Sequence, residues 1–298
     1  MIETIIALVI IVISSIAHYK MTIYKKNRAR SMIKELMAEI DNAIFEALVY
    51  ISKKDYISYI LLIGRADIIP GLRSHVGTDC VIDYQMDRYY DETRESFYLH
   101  YLNRNYKRDG FRYEGESGID DLSIEMMIYS HLWSSDNFLK LLFRLSNIVA
   151  GNGYAWHQEV PEHGFHTKMT NEVIAPLKDA GLKLGEILED CYSSVIRNSF
   201  AKSLYTVDVE ARRFTTRSNH QLNTYTFDEF QTKFLKSALL MNHLGNAIQH
   251  QHNEAAMHET AITKAFLTPE GVKVQVYGEM VKRGNEYYPE FRIYKIKE

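Results

Sequence analysis

The sequence predicts a mainly α protein: an N-terminal transmembrane helix, then a cytoplasmic helical bundle, then a short C-terminal β-hairpin. Three observations carry that expectation. The chain opens on an uncharged apolar run with a basic cluster behind it, apolar residues recur at helical spacing through most of the remaining chain, and the tail switches to period-two alternation. With 46% apolar residues in 298, the chain can fill a sizeable core. Its net charge of -3 provides no general basic field for nucleic acid, so any contact with RNA has to be local.

The first element is "TIIALVIIVISSIA", Thr4 to Ala17, extended to residues 1–24 with only Glu3, His18 and Lys20 as interruptions near its ends. That length meets the roughly 20 residues a spanning helix needs. Lys20, Lys25, Lys26, Arg28 and Arg30 come after the run instead of preceding it, which argues against a cleaved leader and places the bulk of the chain in the cytoplasm, at the cell membrane. Next, Met32, Ile33, Leu36, Met37, Ile40, Ile44, Leu48 and Ile51 form one helical stripe. "IIPGLRSHVGT" punctuates a loop, and residues 80–108 predict a helix with an aromatic face.

Asp120 or Asp121 is a plausible cap for "LSIEMMIYSHLW", and "SSD" at 134–136 caps a second helix that stops at Gly151. Leu182 to Ile196 keep helical spacing, with Pro176 and Gly181 predicting a late start or a kink. "LYTVDVEARRFTTRS" predicts a short hairpin or strand-like excursion. In "TFDEF", Thr226 and Glu229 form a capping box that opens a long helix. The tail alternates around an "RGN" turn. The chain thus divides into an anchor (1–24), a membrane-proximal helical region (25–119), a helical domain (120–265) and a hairpin tail (266–298).

Chemistry centres on "VIRNSFAKSLY". An arginine at the end of a core helix grips phosphate through paired hydrogen bonds, and a histidine four to six residues on can take a proton from a ribose 2′-hydroxyl. The segment resembles the arginine-asparagine motif of the HEPN superfamily, over roughly residues 120–265. The resemblance implies a helical bundle, Arg197 and Asn198 as the motif pair, RNA or nucleotide as ligand, and a homodimer in a stress or phage-defence role. It implies no cofactor. Lys202 stands where the family's histidine should be. A lysine, with a reference pKa of about 10.4, suits phosphate binding better than proton removal. The expectation is therefore a membrane-anchored HEPN-like protein binding RNA or a nucleotide through Arg197, Asn198 and Lys202. Two alternatives stay open: a metal-independent endoribonuclease toxin with Arg197 and Lys202 catalytic, and a catalytically dead tethered scaffold or sensor. A purely local role also stays open, in which Arg197 and Asn198 pair with Glu189 and Asp190.

Two histidine clusters invite a metal. "WHQEVPEHGFH" places His157, Glu159, Glu162, His163 and His166 in one loop, and His250, Glu254 and His258 share a helix face, with His243 two turns back. Neither has cysteine ligands or zinc-protease spacing, so no metal is expected, with His157, His163 and His166 the weak candidates. Cys80 and Cys191 match no ligand or redox spacing and read as buried thiols.

Overall fold

The computed structural model describes residues 31–68, 77, 79–82, 101, 116–161, 163–218, 221–257 and 266–296. Among them a helix runs through residues 31–54 (α1), followed by α2 (Tyr56–Ile63) and a two-stranded antiparallel sheet of β1 (Ala66–Ile68) and β2 (Cys80–Ile82). Next come α3 (Glu116–Leu132), α4 (Asp136–Ala150) and α5 (165–179), which carries a π-helical turn at Met169–Ile174. Then α6 (Lys183–Cys191), α7 (Ser194–Ala201), strands β3 (Tyr205–Asp208), β4 (Arg213–Ser218) and β5 (Gln221–Thr226), and the long helix α8 (Phe227–Met257) complete the body. Strands β6 (Phe266–Leu267), β7 (Lys273–Arg283) and β8 (Glu286–Lys295) form the tail.

The expected membrane-spanning helix and single-pass membrane location are corrected. Among the described residues no helix is long and apolar enough to cross a membrane. The longest, α8, at 31 residues, is interrupted by Lys233, Lys236, His243 and Glu254. The segment that motivated the anchor, residues 1–24, lies outside the described residues. What the structure presents is an α-rich body carrying three small antiparallel sheets.

One core joins these elements. The α1 stripe buries Ile40, Ile44, Leu48 and Ile51, while Met32 near its start stays exposed. These side chains belong to the same cluster as Leu139 and Leu142 of α4, Phe230 and Phe234 of α8, and Val276 and Phe291 of the tail. Helix α8 spans about 46 Å at 1.5 Å per residue. It packs on α3 and α6, and also on α2 and both long tail strands. At the tail the approach is close enough that a Cβ on Gly278 would lie 2.6 Å from Ala256 Cα, so only glycine fits.

Several local expectations hold. Thr226 N–H donates to Glu229 Oε2 at 2.7 Å and Glu229 N–H to Thr226 Oγ1 at 3.2 Å, both halves of the capping box. Gly151 ends α4 in the left-handed region (φ 88°). The tail hairpin pairs Arg283 with Glu286 across a loop begun by Gly284 (φ 63°). The strand-like excursion is a three-stranded meander whose Phe214 is fully buried and meets Phe230 edge-on at 5.5 Å.

Other expectations are corrected. Residues 80–82 are strand, paired to β1, and most of the helix expected over 80–108 lies outside the described residues. Asp120 and Asp121 sit inside α3, which is already helical at Glu116, so neither caps it. The helix before the motif, α6, does start late, at Lys183 after Gly181 (φ 73°), but an unexpected separate helix, α5, precedes it from Phe165 and reaches Pro176 through a π turn. Proline lacks the N–H for an i−4 bond, and the wider turn accommodates that loss. Finally, the expected continuous helical pattern through Ile196 breaks at Tyr192 and Ser193, both extended (ψ 130° and 110°).

Candidate functional site

That break creates the site. Ser193 takes the N-cap of α7 and its hydroxyl accepts from Ile196 N–H at 3.3 Å, so the motif occupies a short helix of its own. Tyr129 of α3 clamps the junction: its buried hydroxyl donates to Cys191 O at 2.8 Å and accepts from Ser193 N–H at 2.7 Å. Burial pushes the Tyr129 hydroxyl well above the ordinary phenol range and the Cys191 thiol up to about 12. The junction is therefore a neutral, dry support at ordinary pH.

Arg197 is half-buried on α7. Its Nε and Nη2 both donate to Ser134 Oγ, at 3.2 and 3.1 Å, and its Cζ lies 4.8 Å from the Phe165 ring centroid. Ser134 Oγ in turn donates to Ser130 O at 2.8 Å, which orients its lone pairs toward the guanidinium. Burial lowers the Arg197 pKa from its ordinary value, with Tyr192 and Tyr129 acting the other way, but an arginine stays charged in proteins. Neither Glu189 nor Asp190 holds it: Glu189 pairs with Lys178 at 2.6 Å, and Asp190 with Lys236. No described carboxylate forms an ion pair with Arg197.

The surroundings are aromatic. Tyr192, released from the helical pattern by the break, meets Trp133 at 4.9 Å, Phe165 at 5.9 Å and the His166 ring, stacked at 30°, at 5.9 Å. Its hydroxyl is buried without a hydrogen-bond partner among the described residues. Burial pushes that hydroxyl up to about 12, and the Arg197 charge pulls the other way, as expected of neighbours. Trp133 is itself fixed by its Nε1–H donating to Ser237 Oγ at 3.1 Å. Ser134 and Ser135 stand at the amino end of α4, where aligned peptide dipoles favour negative charge.

The other motif residues lie elsewhere on α7. Asn198 and Lys202 are exposed, and Lys202 forms the C-cap. Five residues at 3.6 per turn leave Lys202 about 140° around the axis from Arg197. The metal candidates do not converge: His157 pairs with Glu159 at 3.1 Å, His163 is exposed, and His166 stacks on Tyr192. In the second cluster His243 pairs with Asp41 at 2.5 Å, and His258 lies outside the described residues. Among the described residues no group of three or more His, Cys, Asp or Glu could hold a metal.

Sequence reasoning singled out Arg197 and missed Tyr192, Ser134 and Phe165. The signal for Tyr192 was present: "YSSV" offers an N-cap serine just after it, which marks a helix boundary. Nothing local links His166 to Arg197. Comparison with known proteins finds no matching family model, no matching curated sequence and no matching solved structure.

Proposed function

We propose that the protein is HEPN-like and binds the phosphate of an RNA or a nucleotide at Arg197, with Asn198 and Lys202, exposed elsewhere on α7, for further contacts along the ligand. The supporting observation is the guanidinium itself. It is half-buried, braced by a neutral serine and an aromatic face, and not ion-paired with any described carboxylate. A partly desolvated cation without a fixed anion favours an incoming one, and guanidinium matches phosphate oxygens bidentately. Resemblance of "IRNSFAKSLY" to the arginine-asparagine motif directs that preference toward RNA or nucleotide.

The test is fluorescence polarisation of a labelled single-stranded oligoribonucleotide at low salt, comparing wild type with Arg197→Ala. A loss of tenfold or more, about 1.4 kcal/mol, is expected from the alanine change. Equal affinity of the two proteins would sink the proposal. The same samples, run on a gel, decide between binding and cleavage: Arg197-dependent shortening of the oligomer supports the endoribonuclease alternative, and intact RNA supports binding alone.

A further inference from the structure

We infer that the Arg197 site takes a phosphate monoester, the terminal phosphate of a nucleotide or RNA end, with His166 and the Tyr192 hydroxyl as its second and third donors. The inference rests on the phosphate reading of this site and specifies which phosphate it accepts.

The donors come first. Arg197 commits Nε and Nη2 to Ser134 Oγ and makes no other described polar side-chain contact, so part of its guanidinium fork remains for a ligand. Tyr192 keeps its hydroxyl buried and unpartnered although the residue is only 7% exposed. An orphaned buried hydroxyl costs about 1 to 3 kcal/mol, a cost that an accepting oxygen removes. His166 presents an exposed ring one residue after Phe165, the ring that carries Arg197, and stacks on Tyr192. The three donors therefore border one cluster of rings, with no described carboxylate bonded to any of them. Ser134 cannot add a fourth, because its proton goes to Ser130 O.

Charge and donor count then select the ligand. Phe165, Trp133 and Tyr192 pack beside these donors at ring separations of 4.9 to 5.9 Å and add no negative charge. An internal phosphodiester offers two unesterified oxygens and a single negative charge. A monoester offers three oxygens to three donors and brings close to two negative charges at neutral pH. The amino end of α4 adds its dipole in the same sense.

The experiment uses the full chain and three versions of one short oligoribonucleotide: 5′-phosphorylated, 3′-phosphorylated, and hydroxyl at both ends. Affinities are read by isothermal calorimetry for wild type and His166→Gln. One phosphorylated end should bind at least tenfold tighter than the hydroxyl-ended oligomer, and which end does so identifies the source. His166→Gln should erase most of that preference, bringing the phosphorylated and hydroxyl-ended oligomers to within a few-fold of each other. Equal binding of all three oligomers overturns the monoester inference and leaves Arg197-dependent RNA binding standing. No binding of any oligomer overturns both. A full preference retained in His166→Gln overturns the assignment of His166.

Discussion

Among the described residues three arginines lie over aromatic rings, Arg144, Arg197 and Arg212, and the first two differ in what else they touch. Arg144 of α4 is 2% exposed, lies 5.3 Å from the Tyr154 ring centroid, and donates to Asp67 Oδ1 at 2.8 Å, Ala155 O at 3.1 Å and Trp156 O at 3.2 Å. Arg197 lies 4.8 Å from Phe165 and has one neutral hydroxyl for company. A cation paired with an aspartate and bonded to two carbonyls holds structure together, here pinning the 151–161 connection to β1. Arg197 has no such anion among the described residues and lies beside an orphaned hydroxyl. Fully buried charge requires pairing, whereas half-buried charge tolerates waiting for a partner.

The largest effect expected from this contrast is on stability. Arg144→Met should cost about 3–5 kcal/mol, because it strands Asp67 and two carbonyls, while Arg197→Met should cost about 1 kcal/mol or less. Urea unfolding of the two variants measures both, and comparable losses would erase the distinction between a structural and a waiting arginine.

Next in size is the response to alkali. Tyr192 and Cys191 are raised to about 12 and Tyr129 well above its ordinary value, all by burial at the α6–α7 junction. Their unfolded values are about 10 for tyrosine and 8.5 for cysteine. The folded state thus holds these protons more tightly, and the stability they contribute is intact below the unfolded values and lost as pH rises toward the folded ones. Loosening should therefore begin around Arg197 and spare Arg144. The two tryptophans report the regions separately: Trp133 contacts Tyr192, and Trp156 supplies a carbonyl to Arg144. In Trp156→Phe, the Trp133 emission should shift between about pH 9 and 12, before the Trp156 emission shifts in Trp133→Phe. Simultaneous shifts would mean the two regions open as one.

The smallest effect separates stability from binding at one atom. Tyr192→Phe deletes the unpartnered hydroxyl, so the free protein should be unchanged or more stable by about 1 kcal/mol, while affinity for a phosphorylated oligomer falls several-fold. Thermal melts with and without ligand test this. A destabilised free protein would mean that the hydroxyl already has a partner.

Legibility in the sequence tracks the range of the interaction. The capping box at Thr226 and Glu229, the Gly151 stop and the tail turn at Gly284 are each decided by neighbours within a few residues, and all were legible. The strand at Cys80–Ile82 depends on β1, more than ten positions earlier, and was misread as helix. The helix break at Tyr192 was hidden because Leu188, Cys191, Val195 and Ile196 preserve helical spacing across it. Of the site, Arg197 carried a local motif. His166, by contrast, was legible only as a weak metal ligand, since its contact with Tyr192 crosses the fold and leaves no periodic trace.

The π turn at Met169–Ile174 can be understood as a phase correction. A π turn holds one residue more than the α turn it replaces. The wider turn absorbs that residue, so the flanking segments keep nearly the phase of a regular helix, whereas the same residue wound into ordinary α would rotate one segment by about 100° against the other. Phe165 and His166 stand on the near side, and Leu177, buried in the core, stands on the far side. The π turn thus keeps Phe165 and His166 in phase with Leu177: wound as ordinary α with no residue removed, the helix would turn both rings away from Arg197 and Tyr192 while Leu177 kept its place in the core.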